Sequence, residues 1–189
     1  MKKLCFLAAL FFSAQSLFAQ IIPVKNNFQA GLTTVIRDYP NHFTNIIGEL
    51  LVKNPQSEDY RSQINISGAE ECIITKHSSG KKAVYSWQAL MLKTDDHEAA
   101  AKKFKALFNS INNLIVAVGE APLVFKGSFV NPSEEKKFSS IVFSPDIKSR
   151  NNKIRIELML QSEMMEWGVR LLVYEKEKKE DERGSVIEN

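Results

Sequence analysis

Three histidines, two cysteines and a few adjacent carboxylates are the side chains of this 189-residue chain with the most obvious chemical capacity. His42, His77 and His97 stand 35 and 20 residues apart, so no two share the short spacing with which neighbouring ligands grip a metal. Each is read as an exposed polar residue: His42 in a turn after Pro40, His77 at the opening of a hairpin loop, His97 in the first turn of a helix. Cys72 follows Glu70 and Glu71, whose negative charge opposes thiolate formation. A small buried apolar residue on a strand is the better reading, with nucleophilic catalysis by Cys72 or His77 as the minor one. Ser78 and Ser79 beside His77 lack a third group to hold the base. Glu70 and Glu71 would point to opposite faces of a strand, Asp95 and Asp96 suit a helix cap, and Glu134 and Glu135 a surface turn. No glycine-rich phosphate loop, zinc-protease helix or Gly-x-Ser-x-Gly elbow occurs. The reading is of a non-enzyme, with no catalytic residue, no metal ligand and no cofactor.

Composition narrows the partners. Hydrophobic residues are 44% and charged residues 25% of the chain, ordinary for a globular protein. The net charge of +3 includes Lys2 and Lys3, which open an N-terminal export signal. An almost unbroken apolar run over residues 4–12 follows, then SAQSLFA grades into a cleavage site ending at the small residue Ala19, with Leu17 larger than usual at the third position before the cut. That run is shorter than the roughly 20 residues a membrane-spanning helix needs. Cleavage after Ala19 removes Cys5 as well and leaves Cys72 without a disulfide partner. The remaining net charge of about +1 offers no field for nucleic acid. The chain divides into a signal peptide over residues 1–19, a single domain over 20–175, and a charged tail over 176–189 with too little apolar content to fold alone. The expected location is the periplasm or the cell surface.

The domain is organised around a strand that feeds a helix. Tyr85, Trp87, Ala89 and Met91 alternate on one strand face. Ala100, Phe104, Leu107, Phe108, Ile111 and Ile115 then recur at helical spacing. Asp95, with Glu98 three residues on, forms the expected capping box. Upstream, Phe28, Leu32, Val35, Ile36 and Tyr39 mark a first helix ended by Pro40. Strands are expected over residues 45–53, 63–67 and 72–77, with a polar loop over 54–59 and a hairpin loop over 77–82. Four more follow over 123–130, 138–144, 154–161 and 167–174. They form an antiparallel meander with one dry and one wet face. Runs of strands rather than strict alternation give an α+β fold: an antiparallel sheet of about six or seven strands packed by two helices, in the order α-βββ-α-ββββ.

The stretch YSWQALMLKTDDHEAAAKKFKALFNSINNL, with RDYPNHF before it, EEKKFSSIVF after it and the signal ending SLFAQ, resembles small exported proteins of Bacteroidota-type Gram-negative bacteria. The resemblance carries no activity and assigns no residue a role. The functional expectation is a non-catalytic binding module engaging a protein partner. The alternative is a carrier of a hydrophobic small molecule or lipid between helix and sheet, lined by Tyr85, Trp87, Trp167 and Tyr174.

Overall fold

In a computed structural model, residues 27–79, 82–118, 121–146, 153–176, 179–180 and 186–187 are described. The expected export signal lies outside them, as does most of the tail. Two helices and nine antiparallel strands form one α+β unit in the order α-ββββ-α-βββββ. Helix α1 spans Asn27–Asp38 and α2 spans His97–Ile111. The strands are β1 (Ile47–Lys53), β2 (Ser57–Ser62), β3 (Glu71–Ser79), β4 (Lys82–Thr94), β5 (Leu114–Val118), β6 (Ala121–Lys126), β7 (Phe138–Pro145), β8 (Ile154–Glu163) and β9 (Glu166–Glu175). Lys179 and Glu180 pair with Ile187 and Val186 in a separate two-residue ladder, β10 and β11.

The sheet order is β1-β2-β3-β4-β9-β8-β7-β6-β5. Two meanders, β1 to β4 and β5 to β9, therefore meet along the β4–β9 pair. There Trp87 opposes Val173 and Ala89 opposes Leu171. The register continues with Ile156 opposite Val173 and Phe143 opposite Ile156, so one apolar row crosses the seam and the strands beyond it. All of these side chains are buried. The alternation expected on β8, with Ile154, Ile156, Leu158 and Leu160 inward, is fully realised.

Helix α2 lies over β4, β8 and β9 and buries Ala100, Phe104, Leu107 and Ile111. Phe108 is partly buried against Phe129 and Phe143. The cap is Asp96 rather than Asp95: its Oδ1 accepts from the backbone N–H groups of Glu98 (2.8 Å) and Ala99 (3.2 Å). Helix α1 packs beside β5 and joins the same core through Phe28, Leu32, Val35 and Ile36. Gln29 Nε2 donates to the Ser110 carbonyl at 3.0 Å, tying the start of α1 to the end of α2. Below α1, the buried Asp38 carboxylate accepts from the Asn41 and Asn45 side chains and the Asn45 N–H. That clamp holds His42 and Phe43 in the left-handed region, at φ 54° and 58°.

Two strands depart from the expected pattern. The polar loop expected over residues 54–59 gives way at Ser57 to β2, while residues 63–67, expected to be extended, hold no strand. Ile115, assigned to the α2 stripe, instead faces solvent on β5. The helix ends at Ile111 because Asn112 is extended and Asn113 adopts φ 66°, a left-handed geometry that asparagine tolerates.

Phe104 is fully buried at the centre of this contact. Phe104→Ala is expected to lower unfolding free energy by about 3–5 kcal/mol, whereas exposed Ile115→Ala should change it by about 0.5 kcal/mol or less. Urea unfolding monitored by circular dichroism measures both; equal small losses would contradict the packing described.

Candidate functional site

Alternation along β4 and β9 decides where the four aromatic candidates sit. Trp87 and Trp167 point into the helix-covered layer and are buried. The Trp87 indole N–H donates to Ser62 Oγ at 3.0 Å, so its one polar atom is satisfied inside the core. Trp167 meets the His97 ring edge-on, with centroids 4.7 Å apart. His97 Nε2 is buried there without a hydrogen-bond partner among the described residues. Tyr85 shares the Trp87 face but lies further along it, half-buried and stacked on His42 at 5.9 Å. Tyr174 is on the opposite face, paired with Ser86 and Arg155. The structure therefore brings Tyr85, Trp87 and Trp167 to one layer and leaves Tyr174 outside it.

On that opposite face Tyr174 belongs to a polar strip that sequence reasoning missed. Glu157 accepts hydrogen bonds from the Tyr174 hydroxyl and from Ser140 Oγ. Burial, then the charge of Glu157 and its hydrogen bond, push the Tyr174 phenol up to about 12, so it keeps the proton it donates to Glu157 near neutrality. Around the strip stand Ile73, Leu90, Leu172 and Met159, half-buried, with Phe138 52% and Val142 41% exposed. Their register places them opposite the helices: Gln88 pairs with Ile73 and Leu172, and Glu157 pairs with Leu172 and Val142. No helix among the described residues covers this face. Glu157, alternating with the inward apolar residues of IRIELML and so assigned to the opposite face, was the available signal.

The remaining candidates resolve as structure. Cys72 is buried, and its Sγ bonds Asn65 Oδ1 at 3.2 Å. Desolvation pushes its thiol up, with the charge of Glu71 acting in the same direction, which opposes a nucleophilic role. His77 is exposed on β3 opposite Val84, inside the strand rather than at its loop. Glu70 Oε1 accepts the Lys93 N–H at 3.0 Å. No group of three His, Cys, Asp or Glu able to hold a metal ion occurs among the described residues. A shallow depression of about 340 Å³ is lined by Asn112, Asn113, Lys126, Gly127 and Ser128. Its Gly127 N–H is taken by Asn112 Oδ1, and Lys126 is paired with Asp146.

At the far edge, Glu58 receives Lys53 Nζ (2.9 Å), Tyr60 Oη (2.8 Å) and Lys76 Nζ (3.1 Å). The Lys53 bond, then those of Tyr60 and Lys76, hold the Glu58 carboxyl down at about 2. No family model, curated protein or solved structure matches this chain. No helix among the described residues is long and apolar enough to cross a membrane.

Two outcomes follow from these environments. Cys72 in the folded chain should resist iodoacetamide at neutral pH and react once denatured, as read by peptide mass mapping; labelling at the rate of a free thiol would restore the nucleophile reading. Because the folded Glu58 value lies below the ordinary 4.5, its contribution to stability is complete above that value and is lost as pH falls toward about 2. Unfolding midpoints measured from pH 6 to pH 2 should therefore fall less for Glu58→Gln than for wild type, from a lower neutral value.

Proposed function

We propose that this chain is an exported, non-catalytic binding module whose working surface is the helix-free face of its sheet. The observation that carries the reading is the mixture of apolar and polar groups on the face that no described helix covers: exposed Phe138 and Val142, with half-buried Leu172 and Met159, around the Tyr174–Glu157–Ser140 strip. Such a mixture, an apolar centre with aligned hydrogen-bonding groups, is what a protein partner engages. Size supports it. Nine strands spaced about 4.8 Å apart give a platform about 38 Å wide. With strands about 20 Å long, its area approaches the roughly 800 Å² that each partner contributes to a standard interface. Export rests on the charged start, apolar run and small-residue boundary before Gln20. The carrier reading needs Trp87 and Trp167 beside a ligand, whereas both are packed in the core.

A photo-crosslinking residue at Phe138 or Val142, expressed in the native envelope, tests the surface against a control at the exposed Lys105 on α2. Discrete protein adducts from the sheet positions alone are expected, and Val142→Arg should abolish the Phe138 adduct without lowering the unfolding midpoint. Adducts no different from those at Lys105, or a lipid retained by the purified protein in native mass spectrometry, would overturn the proposal.

A further inference from the structure

The β8–β9 hairpin turns at a position where folding gains nothing from the residues present. Glu163 pairs with Glu166, leaving Met164 and Met165 as a two-residue loop. Both have positive φ, 48° and 70°, the geometry that Asn-Gly adopts most readily. A left-handed backbone is unfavourable for a residue with an ordinary side chain, because its Cβ crowds the following carbonyl. Packing does not offset that cost, because Met164 is 97% and Met165 89% exposed. The flanking carboxylates are engaged on the adjoining strands, Glu166 with Lys93 and Glu163 with Arg170 at 3.7 Å. The two thioethers thus project freely from a tip braced below them.

The other sulfur atoms of the described chain are differently placed. Met91 is 2% exposed in the core, Met159 is half-buried on β8, and the Cys72 thiol is buried, with desolvation opposing its ionisation. A thiolate would ordinarily meet an oxidant first, but Cys72 offers neither the charge nor the access.

We propose that the Met164–Met165 tip is an oxidant-accepting modification site, its thioethers taking oxygen from hydroperoxides ahead of every other described sulfur and without disturbing the fold. In each event the thioether lone pair attacks the terminal peroxide oxygen, forming the S–O bond as the O–O bond breaks. The sulfur loses two electrons to become a sulfoxide. The hydroperoxide gains them and leaves, with its proton, as an alcohol or as water. A methionine sulfoxide reductase working with a thiol reductant reverses the change. Because neither side chain packs against the core, adding a polar oxygen alters the tip alone.

The test exposes the purified full chain to graded hydrogen peroxide and follows each sulfur by peptide mass mapping. Met164 and Met165 should each gain one oxygen roughly tenfold faster than Met91 and ahead of Met159 and Cys72, with the unfolding midpoint unchanged. Oxidation of Met159, Met91 or Cys72 at a matching rate, or a midpoint that falls as the tip is modified, would overturn the proposal. The double variant M164N/M165G should lose the rapid uptake of two oxygens and unfold at a higher temperature than wild type. Rapid two-oxygen uptake persisting in that variant would place the reactive sulfur elsewhere.

Discussion

The pairing of β4 with β9 is the constraint on which the rest of the molecule depends. Each meander alone would present an apolar face wider than it could cover. Joined through Trp87 opposite Val173 and Ala89 opposite Leu171, the two become one surface that α2 crosses. A fully buried large apolar side chain contributes about 1.5–3 kcal/mol. Phe104 on α2, Trp87 on β4, and Val173 and Leu171 on β9 belong to one core to which both meanders contribute, so this gain is complete only when the seam is closed. No disulfide or metal ligand set assists it among the described residues.

Closing the seam also divides the chemistry. One side of the sheet receives both helices, and its tryptophans become core. The other carries the polar strip and its apolar neighbours, with no described helix over them. The division is sharpest along β9, where Trp167 and Tyr174 are seven residues apart and so face opposite ways. At the outer edge of the first meander, the Glu58 cluster replaces apolar packing with charge-assisted hydrogen bonds. The inner face therefore grades from dry at the seam to polar at β2. This gradient suits a sheet whose helices lie over its centre and its β5 side.

Much of this was legible in the residues because period and burial agree. IRIELML sets an aliphatic residue at every second position, and the stripe through Ala100, Phe104, Leu107 and Ile111 fits only a helix. The opposite orientation of Trp167 and Tyr174 was also readable from parity. What escaped had a physical cause. β2, reading SEDYRS, turns Glu58 and Tyr60 toward the side where an apolar residue would have announced a strand. Only two residues separate the end of α2 from the start of β5, and Ile115 continued the helical count across a left-handed Asn113. The asparagine pair marked the break, but one turn of spacing outweighed it. The Met164–Met165 turn carries no glycine or asparagine, and the open face became recognisable only once β4 and β9 were known to be neighbours.

Native-state hydrogen exchange resolved to single amides tests the closed seam most directly. If β4 and β9 hold the two meanders in one cooperative unit, the interior amides of β4, β8, β9 and α2 should share the slowest class, exchanging only through global unfolding and with a common denaturant dependence. Seam amides that exchange early, with the β1 to β4 and β5 to β9 halves opening at separate free energies, would show two independently stable sheets and contradict the account.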